Sequence, residues 1–263
     1  MKNRSANTSF GAKTIGIPKA LLAYSDLPLW KTFFSELGVN VLLSSDTSDK
    51  TIEIASDYIS SDYCYPVKLA HGHVIELMNN EKVDAIFLPY IVQGEPHDDN
   101  FKRSVFCPYN ISFPSIIKSM NISEDMEKPI ISTVINFQYA TKSIIKSFRK
   151  SFKGNFNFTD RQIERAWTNA KTSLKQFKGE CEDVGKEMLQ NLQESGKKAV
   201  VLLGRPYNIY DLGANLNIPQ KIADLGFDVI GIDTLPLSHI KIDPLYKNMY
   251  WSYGRKILQA ATF

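Results

Sequence analysis

Two cysteines carry the most distinctive chemistry in this chain. They are Cys64, in Asp62-Tyr63-Cys64-Tyr65-Pro66, and Cys107, in Phe106-Cys107-Pro108-Tyr109. Each sits in a loop that leads into a predicted helix. The start of a helix directs unsatisfied N–H groups and a positive dipole end at such a sulfur, which favours thiolate over thiol. Thiolate is the form that binds soft metals and iron–sulfur clusters. A following proline stiffens the loop and removes a competing donor. The two residues are 43 positions apart (107 − 64), so they form no local metal motif. On spacing alone, two ordinary half-buried thiols is the better reading. Cys181 lies among Glu180, Glu182 and Asp183. Those carboxylates should raise its pKa, so it reads as a bystander.

Other side chains could line a cleft with the cysteines. His71 and His73 flank Gly72 on the helix after Cys64. Residues two apart on a helix point to different faces, so both cannot easily serve one metal. A structural role for each outweighs ligation. Zinc held by both cysteines and a histidine would lack the usual tight ligand pairs. Gly204-Arg205-Pro206-Tyr207 follows a predicted strand, where Arg205 could clamp a carboxylate or phosphate, with Tyr207 beside it. An ion pair between two halves of the molecule is an equally good reading of Arg205. Lys19 is its counterpart in the first half. Neither loop is a glycine-rich phosphate cradle.

These residues need elements to position them. Lys13–Pro18 reads as a buried strand, followed by a helix through Leu29, Trp30, Phe33, Phe34 and Leu37, a cap at Gly38 and a strand over Val39–Leu43. The pattern returns near the C-terminus. Ala199–Leu203 is a strand, a helix runs through Ile218, Ile222 and Leu225, Gly226 caps it, and Phe227–Ile232 is the next strand. Gly16 matches Gly204, Pro18 matches Pro206, Leu37 matches Leu225, Gly38 matches Gly226 and Val41 matches Val229. The offset is 188 throughout (204 − 16, 226 − 38), so the two units align without a gap. Between them, Thr47 or Ser48 caps a helix to about Ile59. Pro66 and Pro114 each start a helix. Val83–Leu88 and Pro129–Val134 are strands, and Tyr139–Phe148 is a helix. A long polar helix spans Thr159 to about Glu194, and a last helix covers about Asn248–Ala261. Strands alternating with helices predict an α/β fold of two flavodoxin-like (Rossmann-like) lobes with mainly parallel sheets. The expected division is 13–155 for the first lobe, 156–197 for a helical bridge and 198–263 for a second, incomplete lobe. Ligands of such sheets sit beyond the carboxyl ends of the strands. The loops there are Pro18-Lys19, 89–110 and 204–212.

Composition bounds the function. The 263 residues are 43% hydrophobic and 22% charged, a globular balance. Net charge is +3, too small to argue for nucleic acid. The basic stretch Lys142–Lys153 reads as the solvated face of a helix. No apolar run reaches membrane-spanning length and the N-terminus has no apolar signal core, so a cytoplasmic protein is expected. Three cysteines do not make a secreted disulfide framework. The aromatic run from Tyr246 to Tyr253 suggests a packed interface, hence a homo-oligomer.

Several blocks resemble one family. Ile15-Gly16-Ile17-Pro18-Lys19-Ala20-Leu21, Pro28-Leu29-Trp30-Lys31-Thr32-Phe33-Phe34 and the run from Cys64-Tyr65-Pro66 through His71-Gly72-His73-Val74 are similar to acyl-CoA dehydratase activase-related proteins, which contain the CoA enzyme activase uncharacterised domain. Phe87-Leu88-Pro89, Cys107-Pro108, Gly204-Arg205-Pro206-Tyr207 and Tyr250-Trp251-Ser252-Tyr253 fit the same family. That family is similar to subunits of 2-hydroxyacyl-CoA dehydratases and benzoyl-CoA reductases. The resemblance implies a 4Fe–4S cluster between flavodoxin-like lobes, with Cys64 and Cys107 as two of three cysteine ligands. It implies an ATP-dependent activator protein as electron donor and an acyl-CoA thioester as substrate. The third cysteine is expected in a Cys-Gly context beyond the Trp251–Arg255 region, and this chain holds none there. The expected function is an iron–sulfur electron-transfer component, with the chain's own enzymatic activity left open. The alternative is a metal-free two-lobe binding or scaffold module.

Overall fold

The computed structural model describes residues 13–59, 61–96, 103–120 and 128–263. The N-terminal tail read for a signal core, and part of the 89–110 loop, lie outside the described residues.

The chain is an α/β protein with parallel sheets. Its first element is strand β1 (Thr14–Ile17), then helix α1 (Ala23–Glu36), β2 (Asn40–Leu43), α2 (Asp49–Tyr58), α3 (Tyr65–Met78), β3 (Ala85–Phe87), β4 (Tyr90–Gln93), α4 (Pro108–Lys118), β5 (Ile130–Ile131), β6 (Val134–Asn136) and α5 (Thr141–Phe152). The main sheet has the order β2-β1-β3-β5, every pair parallel. β4 and β6 form a second parallel pair. β1 continues to β2 on one side and pairs with β3 on the other, so the connections diverge between β1 and β3. That switch point is where doubly wound sheets open a crevice.

The sequence expectation placed one strand over Val83–Leu88 and another over Pro129–Val134. The first holds β3 and ends at Pro89 as expected, with β4 following as a further strand, while the second is divided between β5 and β6. The ladder itself carries on, because the Leu88 N–H donates to the Ile131 carbonyl (3.0 Å) and the Tyr90 N–H to the Thr133 carbonyl (2.9 Å). Pro89, between them, has no N–H to give, and the strand breaks there. A second correction concerns Pro114. The helix starts at Pro108, directly after Cys107, and Pro114 lies inside it. Proline at the first helical position has its φ preset and gives up only an N–H that would lack a partner anyway.

Both faces of the main sheet are covered, as a parallel sheet requires. On one side, Leu29, Trp30, Phe33 and Phe34 of α1 pack with Phe148 of α5 and Trp167. The Phe33 and Phe148 rings stack at 4.3 Å. On the other, Val67, Val74, Ile75 and Leu77 of α3 pack with Phe113 and Ile117 of α4.

Trp167 belongs to α6 (Asp160–Ser195), one helix of 36 residues. Thr159 and Gln162 cap it reciprocally and Gly196 ends it in the left-handed conformation. At about 1.5 Å per residue it spans roughly 54 Å. Its first half enters the main core through Ile163, Trp167, Ala170 and Leu174. Its second half, through Met188, Leu189 and Leu192, packs on a separate cluster of Ile209, Ile230, Ile232, Leu235 and Leu237. That cluster belongs to the C-terminal unit: β7 (Ala199–Leu202), α7 (Pro206–Ile209), α8 (Ile218–Asp224), β8 (Asp228–Gly231) and α9 (Ser252–Thr262). β7 and β8 pair in parallel.

The duplicated unit is repeated only in part. β2 and β8 correspond residue for residue at the offset of 188, and so do the ends of α1 and α8. Gly38 and Gly226 both take positive φ, +71° and +87°, the conformation that glycine reaches without a Cβ penalty. The first strands do not match. Thr14 pairs with Asn40, whereas Ala199, rather than Leu202, pairs with Asp228. The second unit is therefore displaced by three residues before its helix. Gly16 lies within β1, where an added Cβ would meet Val83 at 3.0 Å. Gly204 lies beyond the end of β7, and the extra length forms α7, which the sequence pattern did not reveal.

The C-terminal aromatic run packs largely within the chain. The Tyr253 ring lies 5.6 Å from Phe106, and the Val105 N–H donates to the Tyr250 carbonyl. Tyr246 and Tyr250 remain exposed.

Candidate functional site

Cys64 is the N-cap residue of α3 and Cys107 that of α4. Neither uses its side chain to cap; the Cys64 carbonyl accepts from Val67 and Lys68 N–H and the Cys107 carbonyl from Ile111 N–H, which leaves both sulfurs uncommitted to capping at the helix starts. Cys64 is exposed and Cys107 half-buried. Their loops touch. Tyr63, just before Cys64, meets Tyr109, two residues after Cys107, edge to face at 5.9 Å. Asn110, Phe113 and Pro114 of α4 wall a small apolar cavity of about 60 Å³ together with Ile17, Pro18, Leu88 and Pro89. Those four residues mark the carboxyl ends of β1 and β3, so α4 brings Cys107 to the switch point of the sheet.

The C-terminal unit reaches this place through Arg205, the N-cap residue of α7. Its Nη1 donates to the Tyr207 hydroxyl (3.0 Å), which also accepts from Asn110 Nδ2 (3.4 Å). Cys107 adds to the electrostatic surroundings of the guanidinium. Burial opposes its charge, but Tyr207 and Cys107 hold the Arg205 pKa above its ordinary value. Burial raises the Tyr207 pKa, against the pull of Arg205. Asn110, Arg205 and Tyr207 are thus one contact set built from both parts of the chain, with Cys107 beside it.

The two histidines face different neighbours. His71 donates Nδ1–H to the Val67 carbonyl (2.7 Å) and stacks against Tyr63 at 5.4 Å. It thereby supports the loop that carries Cys64. His73 is fully buried, with Nδ1 2.9 Å from Ser44 Oγ and Nε2 3.0 Å from Thr47 Oγ1. Thr47 donates its own proton to Asp211 Oδ2 (2.7 Å), and Ser44 Oγ accepts the Lys19 N–H (2.8 Å). A hydroxyl has one proton to give. His73 Nε2 must therefore carry hydrogen and Nδ1 must accept from Ser44. The ring is neutral, and burial lowers its pKa. The Lys19 ammonium pairs with Asp46. Lys19 and His73 thus belong to an inter-unit polar chain ending at Asp211.

Sequence reasoning missed Asn110, Thr47 and Asp211. The first sits one turn after Cys107 on a helix whose start was misplaced. The other two are 164 positions apart. Cys181 is removed from the cysteine mouth. Its pKa is raised, first by burial and then by Asp233 and Glu180, with Lys256 opposing.

The sequence matches the family described as CoA enzyme activase uncharacterised domain over residues 14–235. The chain belongs to that family. No curated protein and no solved structure matches it. For a cluster of the kind the resemblance implied, Cys64 and Cys107 are two soft donors on loops that touch through Tyr63 and Tyr109. Among the described residues no group of three or more His, Cys, Asp and Glu side chains converges as a metal site. Two sulfurs alone do not complete the ligand set of such a cluster. Among the described residues no helix is long and apolar enough to cross a membrane.

Proposed function

We propose that this chain is a redox component that works with a CoA-dependent enzyme, and that Cys64 and Cys107 hold iron at the mouth beside β1 and β3. The observation that carries this reading is the placement of both thiols at proline-started helix N-termini whose loops meet through Tyr63 and Tyr109. A 4Fe–4S cluster bound there would supply single-electron transfer at low potential. Arg205 would balance the negative charge of a thiolate at Cys107. Tyr207 and Asn110 fix that guanidinium, and His71 braces the loop of Cys64. Consistent with the resemblance, the partners would be an ATP-dependent activator protein and an acyl-CoA thioester. Cytoplasmic location and assembly with further copies of the chain are parts of the same proposal.

The test is anaerobic reconstitution with ferrous iron and sulfide, followed by iron and acid-labile sulfide assay and visible absorption. The unaltered chain should take up iron and show a broad band near the blue, and Cys64→Ser or Cys107→Ser should each lose most of it. Cys181→Ser should match the parent. Colourless protein after reconstitution would overturn the proposal. A metal-free binding module is the second reading, favoured by the lack of a converging metal-ligand group among the described residues.

A further inference from the structure

A second recess lies near the amino end of β1, whereas the cysteine loops lie toward the carboxyl ends of the strands. It is an open groove of about 910 Å³ between the last turns of α5 and the loop that leads to α6. Lys13, immediately before β1, closes one side: its Nζ donates to the Asn155 carbonyl (2.8 Å) and lies 5.4 Å from the centre of the Phe156 ring. Phe152, Phe156 and Phe158 line the groove, with Phe156 and Phe158 stacked on each other at 5.6 Å. Lys146, Arg149, Lys150 and Lys153 line the same groove.

The charges are unbalanced. Arg149 pairs with Asp160. Lys146, Lys150 and Lys153 have no carboxylate within 4.0 Å among the described residues. Lys146 and Lys150 are four apart on one helix, a spacing at which like charges repel. Cations at the end of a helix complement its dipole, which accounts for Arg149 and Lys150. It does not account for Lys146, a full turn earlier, or for the phenyl lining. A solvated basic face would need no aromatic recess beside it.

From this combination we infer that the groove binds a nucleoside polyphosphate, the base lying against the half-buried rings of Phe156 and Phe158 and the phosphates reaching Lys146, Lys150 and Lys153. The inference is independent of the cysteine chemistry above. The recess has the size of a small-molecule cleft, about 300–1,000 Å³. Aromatic rings take any base by its π-face, and clustered cations take phosphate. A lipid surface would call for protruding apolar side chains, whereas Phe152 is buried and Phe156 and Phe158 are half-buried.

Isothermal titration of the full chain with ATP tests this, alongside adenosine, inorganic tripolyphosphate, a short single-stranded RNA and vesicles of anionic phospholipid. ATP should bind at micromolar concentration, with adenosine and tripolyphosphate each at least tenfold weaker. The double variant Lys146→Glu/Lys150→Glu changes exposed side chains only. It should weaken ATP binding at least tenfold with an unchanged far-UV spectrum. Absence of ATP binding would overturn the inference, as would a double variant that binds normally. Tripolyphosphate equal to ATP would reduce the groove to a bare anion patch. Tighter binding to the RNA or to the vesicles would assign it to a macromolecule. Each of these results counts against the nucleotide.

Discussion

Asp26 has an environment that should be measurable in the stability of the whole chain. It sits on α1, is fully buried, and its Oδ2 has no hydrogen-bond partner. Burial, chiefly, lifts its pKa to about 6; Lys178 and Ser25 oppose the shift and Asp233 adds to it. A carboxyl whose folded pKa exceeds its unfolded value of 3.8 binds more protons when folded. Its contribution is fully present below pH 3.8 and lost as pH rises to about 6. A displacement of about two units corresponds to roughly 3 kcal/mol. His73 and His71 act in the opposite direction, since burial lowers both pKa values and their contributions fade as pH falls below 6.5. The difference between parent and Asp26→Asn isolates the carboxyl. Relative to the parent, the variant should gain roughly 3 kcal/mol between pH 4 and pH 7 in urea titrations. A difference that stays flat with pH would show that Asp26 is ionised in the folded chain at both ends of that range.

At the scale of elements, α6 provides an internal comparison. Gly179 and Gly185 lie six residues apart on that helix. A Cβ on Gly179 would meet nothing within 4 Å, whereas one on Gly185 would lie 1.8 Å from the Thr234 carbonyl oxygen. Gly179→Ala should therefore stabilise the chain by roughly 0.5–1 kcal/mol, the helix-propensity gain. Gly185→Ala should destabilise it by roughly 1–3 kcal/mol, because the helix must move off the turn that carries Asp233. Thermal unfolding of both variants decides; equal effects would contradict the close approach. Nothing in the sequence around Gly185 distinguishes it from Gly179. What was legible was local: the caps at Gly38 and Gly226, the strand at Ile15–Ile17, the thiols at helix starts. Those depend on residues within one or two turns of each other. The slip of β7 by three residues, the resumption of pairing as β4 beyond Pro89 and the helix start at Pro108 depend on which strand or loop lies alongside. The same is true of Asn110, which enters the candidate site only because α4 lies beside α7. Pairing across the fold overrides local pattern at those points.

At the scale of the molecule, side-chain hydrogen bonds help to tie the C-terminal unit to the rest of the chain, three of them among the described residues being central here. Tyr207 accepts from Asn110, Tyr253 shares a 3.0 Å hydrogen bond with Ser25, and Thr47 donates to Asp211. The third is the most constrained. Asp211 is buried, its Oδ1 accepts the N–H groups of Gly213 and Ala214, and its Oδ2 receives the proton that fixes the direction of the whole His73 chain. Gly213 allows the approach, since a Cβ there would lie 2.6 Å from Thr47. Removing one member leaves its neighbours buried without partners, at a cost of roughly 1–3 kcal/mol, while removing both members of a pair costs less than the sum. Thr47→Val and Asp211→Ala should each destabilise by that amount and together fall short of additivity by at least about 0.5 kcal/mol. In the parent, nitrogen NMR should find His73 neutral with hydrogen on Nε2. In Asp211→Ala, Thr47 is released to donate to His73, and the tautomer preference should weaken. If the docking of the C-terminal unit sets the mouth at Cys107, the same variants should also lower iron uptake on reconstitution, although neither residue touches a cysteine. Strictly additive stabilities with an unaltered His73 spectrum would show that this chain of protons does not couple the two parts.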